Sequence, residues 1–148
     1  MKEKFTNSAK ETTFLGYQVG LLLEPGSVLL LEGDLAAGKT TFTKGIGQAL
    51  GIKRNINSPT YTIMKRYMMD ENKLYHVDLY RLDEVGSDFD LEDYINSDGI
   101  SVIEWPHKVS HILPKEYLLV EFTDLGNDQR KITFTAKGEK YERVEHYL

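Results

Sequence analysis

Gly33-Asp34-Leu35-Ala36-Ala37-Gly38-Lys39-Thr40 fits the phosphate-loop pattern G-x-x-x-x-G-K-[ST] at every fixed position. With glycine at about 7% of average usage, this pattern should arise by accident in roughly one chain in two hundred of this length. The flanks therefore carry the decision. Ser27-Val28-Leu29-Leu30-Leu31-Glu32 is a short apolar run suited to a buried strand, and Thr41 to Leu50 reads as a helix ending at Gly51. In a strand–glycine loop–helix unit, successive backbone N–H groups surround a phosphate and the helix N-terminus adds its partial positive charge at the same point. Lys39 would then reach the outer phosphates, and the Thr40 hydroxyl would ligate Mg²⁺.

Working outward, Ser8-Ala9-Lys10-Glu11 has capping-box spacing, and Leu15, Val19, Leu22 and Leu23 follow at helical spacing, predicting a helix over 9–24 that Pro25-Gly26 stops. In the helix after the loop, Phe42, Ile46, Ala49 and Leu50 form a core stripe. Ser58 to Met69 and Leu74 to Tyr80 read as a β-hairpin joined through Asp70-Glu71-Asn72-Lys73. Period two puts Tyr75, Val77 and Leu79 on one face of its second strand and His76, Asp78 and Tyr80 on the other. Acidic residues 83–98 suggest a short helix, Ile100-Ser101-Val102-Ile103 a second buried strand, and the residues up to Leu113 another short helix. Tyr117 to Thr123 and Lys131 to Thr135, joined by the turn-forming Asp124-Leu125-Gly126-Asn127-Asp128, predict a terminal hairpin, with a helical turn or two over 139–148.

The 148 residues suit a single domain spanning 1–148 with one good core. A formal net charge of −5 argues against a broad basic face that grips bare nucleic acid. Met1-Lys2-Glu3-Lys4 has no apolar stretch behind it, and the longest apolar run is broken by Glu24-Pro25-Gly26, so neither a signal peptide nor a membrane span is expected. Zero cysteines exclude disulfides and thiolate chemistry, in keeping with a cytoplasmic protein.

A phosphate loop needs a second carboxylate near the metal, at the end of a strand beside the loop strand. Glu104 stands there, after four apolar strand residues, although strand ends are commonly charged for solubility alone. Trp105, the only tryptophan, suits either base stacking or core packing. Asp78 suits either a group that orients or deprotonates the attacking water, or a hydrated hairpin face. His76 is assigned to structure, since no partner stands at metal-ligand spacing from it. Ser58-Pro59-Thr60 is either a loop closing over the γ-phosphate or plain turn chemistry.

Four blocks, Gly33 to Thr41, Ser58-Pro59-Thr60-Tyr61-Thr62, His76-Val77-Asp78-Leu79-Tyr80-Arg81 and Ile103-Glu104-Trp105, resemble the TsaE family in order and spacing. This is the small bacterial ATPase family of tRNA threonylcarbamoyladenosine biosynthesis, and the resemblance runs from about Lys10 through Trp105 and less distinctly beyond. It implies an α/β, three-layer phosphate-loop NTPase fold, a mixed sheet flanked by helices. ATP and Mg²⁺ would be the cofactors. Gly33, Asp34, Leu35, Ala36, Ala37, Gly38, Lys39, Thr40 and Thr41 would contact the nucleotide, with Thr12 beside it and Trp105 near its base. Thr40 and Glu104 would hold the metal, Lys39, Glu104 and Asp78 would form the catalytic set, and Ser58, Pro59 and Thr60 would be the switch-like loop. The family acts with TsaD and TsaB, so tRNA would be reached through that complex. One departure stands out: the family usually has glycine where this chain has Ala36, whose methyl restricts φ.

Three functions compete: an Mg²⁺-dependent ATPase accessory to tRNA modification, a small-molecule or nucleoside kinase, and a nucleotide-binding module without turnover. A kinase needs an acceptor pocket and usually an arginine-bearing lid, for which 148 residues leave little chain. A GTPase is disfavoured because Asn72-Lys73 continues as Leu74-Tyr75 rather than as a guanine-reading motif. Asp78 separates the ATPase from the binding module, which needs the cradle but no water-orienting carboxylate.

Overall fold

The computed structural model describes residues 1–34, 36–59, 64–80, 98–106 and 113–148. The strands among these residues are β1 (Lys2–Thr6), β2 (Val28–Glu32), β3 (Met64–Met69), β4 (Asn72–Asp78), β5 (Ile100–Glu104), β6 (Tyr117–Gly126) and β7 (Gln129–Lys137). The described helices are α1 (Ala9–Leu22), α2 (Lys39–Ala49) and α3 (Glu139–Tyr147). The strands form one mixed sheet in the order β1-β7-β6-β2-β5-β4-β3. The middle four strands, β6, β2, β5 and β4, run parallel, while β3, β7 and β1 join by antiparallel pairing. This is the expected α/β fold with a mixed sheet and helices.

The parallel centre explains its composition. Strands with neighbours on both sides and cover on both faces read as continuous apolar runs, and Val28, Leu29, Leu30 and Leu31 are all buried. Alternation splits them between two cores. Leu29 and Leu31 join Leu74, Ile100, Val102, Leu118, Val120 and Phe122 under α1, α2 and α3. Val28 and Leu30 join Val77, Leu79 and Ile103 on the opposite face. The segments expected to be helical over 83–98 and before Leu113 lie, apart from Asp98 and Pro106, outside the described residues.

α1 begins where its cap predicts. The Ser8 hydroxyl accepts the Glu11 N–H at 3.1 Å, while the Glu11 carboxylate accepts the Asn7 N–H at 3.2 Å, one residue before the usual box partner. The helix stops at Leu22, two residues short of the predicted end. α1 and α2 cross in backbone contact: a Cβ added to Gly45 would sit 1.9 Å from Thr13 O, and one at Gly16 would sit 2.0 Å from Phe42 O. Small residues at this crossing bring the start of α1 beside the start of α2.

β1 departs from the sequence reading, in which the charged N-terminus carried no strand. Lys2 to Thr6 pair antiparallel with β7 at the sheet edge, where main-chain bonds need no apolar face and charge is tolerated. The Met1 ammonium also binds Glu145 Oε1 at 2.5 Å. Both hairpins exist with tighter turns than expected. Asp70 (φ 56°) with Glu71 joins β3 to β4, and Asn127 (φ 52°) with Asp128 (φ 64°) joins β6 to β7. The latter pair has the two positive φ angles of a type I′ turn, whose twist matches the strands. Among the described residues, no helix is long and apolar enough to cross a membrane.

Candidate functional site

Register places the site. Leu31 of β2 pairs with Glu104 of β5, and Glu104 pairs with Asp78 of β4, so both carboxylates stand at the carboxyl edge of the parallel strands, level with the point where the loop leaves β2. This is where open α/β sheets collect ligands. The N-cap of α2 is Gly38 at φ 106°, an angle that side-chain-bearing residues rarely adopt. The resulting cleft, about 370 Å³, is lined by Ala36, Gly38, Lys39, Thr40 and Thr41 from the loop and α2, and by Ala9 and Thr12 from α1. Ser58, Asp78, Glu104, Asp128 and Arg130 complete the lining.

Lys39 is buried, with Nζ donating to Gly33 O at 2.7 Å and standing 3.8 Å from Glu104 Oε1. Burial pulls its pKa below the usual lysine range, and the carboxylates of Glu104, Asp78, Asp34 and Glu32 pull the other way without prevailing. An ammonium so poorly solvated gains more from a polyanion than an exposed lysine would.

Glu104 is held by a residue that the sequence reading assigned to structure alone. His76, fully buried, places Nε2 2.5 Å from Glu104 Oε2. An ionised carboxylate only accepts, so Nε2 carries the proton. Nδ1 has no hydrogen-bond partner among the described residues. The other carboxylate oxygen, Oε1, makes no hydrogen bond among the described residues.

Asp78 is buried, not on a hydrated hairpin face, and Oδ1 accepts the Tyr80 N–H at 3.0 Å. β4 is covered by β3 on one side and β5 on the other, and His76 and Asp78 point to the same face as α2. Tyr80, which alternation grouped with them, falls beyond the strand and is 42% exposed, its ring 5.0 Å from that of Trp105.

Among the predicted site residues, Thr12, Ala36, Gly38, Lys39, Thr40, Thr41, Ser58, Asp78 and Glu104 line the cleft. Thr12 is buried and shares a 2.7 Å hydroxyl contact with Thr6. Gly33, Asp34 and Trp105 line a separate depression with Glu32, and the Trp105 ring lies 4.4 Å from Lys39 Nζ. The indole thus adjoins the lysine, not the main cleft; φ 59° at Trp105 turns the chain immediately after β5. Ala37 is buried in the core. Pro59 is buried beside Ser58, while Leu35 and Thr60 lie outside the described residues.

Three lining residues were missed: Ala9, Asp128 and Arg130. Arg130 Nε donates to Ala37 O at 3.2 Å and Nη2 to Ala36 O at 3.4 Å, while Nη1 binds Asp124 Oδ1 at 2.9 Å. The only available signal was an arginine just after a turn, which has no meaning until β7 is known to lie two strands from β2.

The model of the family described as "Threonylcarbamoyl adenosine biosynthesis protein TsaE" matches residues 6–132. The tRNA threonylcarbamoyladenosine biosynthesis protein TsaE of Bacillus subtilis (strain 168) is 44% identical over 139 residues, covering 94% of this chain and 88% of the relative. That of Aquifex aeolicus (strain VF5) is 35% identical over 139 residues, covering 93% and 98%. A solved structure titled "Crystal structure of Bacillus subtilus YdiB" superposes with a TM-score of 0.87 at 38% identity, covering 99% of this chain and 92% of that one. With a family model spanning most of its length and relatives of this identity along nearly all of it, the chain belongs to the TsaE family.

Proposed function

We propose that the protein is an Mg²⁺-dependent ATPase that serves tRNA threonylcarbamoyladenosine biosynthesis as an accessory to TsaD and TsaB in the cytoplasm, meeting tRNA through that complex. The observation that carries this reading is the level alignment of Asp78, Glu104 and the phosphate loop on three adjacent parallel strands. A binding module has use for the loop but none for a buried aspartate at its mouth.

The residues fit the metal. Among the described residues no cluster of three or more His, Asp or Glu could hold an ion alone. Mg²⁺, however, is usually held by one or two carboxylates together with substrate phosphates and water. Thr40 Oγ1 and Glu104 Oε1 would supply the protein ligands, with His76 keeping Glu104 in position through Oε2. Bound there, the ion would neutralise charge on the β- and γ-phosphates.

The chain's own residues divide the remaining work. Loop amides and Lys39 would bind the phosphates, with Lys39 exchanging Gly33 O for phosphate oxygen. Asp78 would orient a water molecule and take its proton as the water oxygen bonds to the γ-phosphorus. The bond to the β–γ bridging oxygen then breaks, giving ADP and inorganic phosphate. Thr12 and Ala9 would wall the nucleotide on the α1 side.

The test is ATP turnover with and without TsaD and TsaB. Stimulation by the pair supports the accessory ATPase. Phosphate transfer to a small acceptor would select a kinase instead, and tight binding without turnover in any mixture would select a binding module.

A further inference from the structure

The turn that shapes the phosphate loop contains a conflict. The Ala37 N–H donates to Asp34 O at 3.1 Å, a bond that turns the backbone, and Ala36, third in sequence from Asp34, has φ 64°. A turn with positive φ there favours glycine or asparagine, because a Cβ crowds the backbone. Alanine keeps such a conformation only where its surroundings over-determine it.

The surroundings are an arginine from another part of the chain. Arg130, its side chain only 17% exposed, directs Nε to Ala37 O and Nη2 to Ala36 O, gripping the two carbonyls that follow the strained φ. Nη1 donates to Asp124 Oδ1 and to Gln129 O at 3.0 Å, which fixes the guanidinium on its own hairpin. Four of its five N–H donors are thus engaged. A group so committed is a poor candidate for a mobile phosphate-seeking cation. Its planar fork suits two adjacent carbonyls, a geometry that lysine lacks.

We propose that Arg130 is a positioning residue that holds the strained backbone at Ala36 and Ala37 in its phosphate-binding shape, anchored by Asp124, and so makes Ala36 tolerable where glycine would need no such support. The consequence for ATP rests on the function proposed above; the clamp itself does not.

A double-mutant cycle between Arg130→Gln and Ala36→Gly tests this in the full-length protein. The first measurement is hydrogen exchange at the Ala37 amide without nucleotide. Arg130→Gln should accelerate exchange about tenfold or more beside Ala36, but by less than about threefold beside glycine. ATP affinity should fall in the same unequal proportions, and Arg130→Lys should not restore it. Equal changes in the two backgrounds, or no change in exchange, would overturn the proposal. Absence of ATP binding in the unsubstituted protein would instead overturn the proposed function, with the exchange arm still deciding the clamp. If Arg130→Gln does not fold, Asp124→Asn, at a half-exposed site, gives the same cycle. The changes should then be smaller and still unequal, and equal changes would again contradict the clamp.

Discussion

The β3–β4 and β6–β7 hairpins flank the phosphate loop from opposite sides of the sheet, and they contribute to the site by different physics. β4 ends with His76 and Asp78 on the face that carries α2, and delivers buried acid-base groups level with Glu104. Arg130, the second residue of β7, bonds loop carbonyls, and the preceding turn puts Asp128 at the cleft wall. One hairpin would supply chemistry and the other shape. Side chains that meet a reacting group are restricted in type, whereas a side chain that meets backbone carbonyls needs only donors and reach.

The division predicts which variant loses what. Asp78→Asn should lower turnover by about 10²- to 10⁴-fold, the usual worth of general-base assistance, and leave ATP affinity nearly unchanged. The substitution keeps an oxygen for the Tyr80 N–H, so the fold should survive. Parallel calorimetry and phosphate-release assays check it, and a matching loss of affinity would merge the roles of the two hairpins. Lys39→Ala, which belongs to neither hairpin, should cost roughly a hundredfold in ATP affinity through loss of charge-assisted bonds. Unchanged affinity by calorimetry would remove the loop from phosphate binding.

His76→Leu sharpens the comparison on the β4 side. It leaves Glu104 Oε2 buried without its donor, which should cost about 1–3 kcal/mol in denaturant unfolding. Turnover should fall by about tenfold, as when an outer-shell partner of a metal ligand is lost. A stability loss with full turnover would make His76 purely structural.

The smallest effect should come from the far end of β7. Glu145 accepts the Ala136 N–H at 3.1 Å and binds the Met1 ammonium, whose hydrogen bond holds its carboxyl below the usual range. Because the folded-state value is depressed, this contribution is present above the ordinary carboxylate range and is lost as pH falls through the lower folded value. Glu145→Gln should therefore cost about 0.5 kcal/mol at neutral pH, an amount that shrinks with acidification, and leave turnover intact. A constant difference down to low pH would mean that the ion pair is not its source.

The same contrast explains what could be read beforehand. The loop, its strand and its helix were legible because local pattern and local chemistry coincide in Val28 to Ala49. Glu104 was legible because an apolar run ends on it. Asp78 was visible as a residue but not as a buried one, since alternation gives faces and not their cover. The role of Arg130 was invisible: the loop carbonyls it bonds lie 93 and 94 residues away and are groups that any sequence possesses. β1 was hidden for a related reason, as an edge strand held by main-chain bonds need not be apolar. Ala36 stands out in the sequence only as a departure from glycine; the bond from Arg130 to its carbonyl is visible only in the structure.

On the proposed function, the buried Asp78 carboxylate on β4 performs chemistry in a cradle shaped from elsewhere. This claim is tested most directly by single-turnover phosphate release from Mg²⁺-ATP, with TsaD and TsaB present, for the unsubstituted protein and Asp78→Asn at saturating nucleotide. The account predicts release by the former and at least a hundredfold slower release, about 10² or more, by the latter. Equal rates would contradict it.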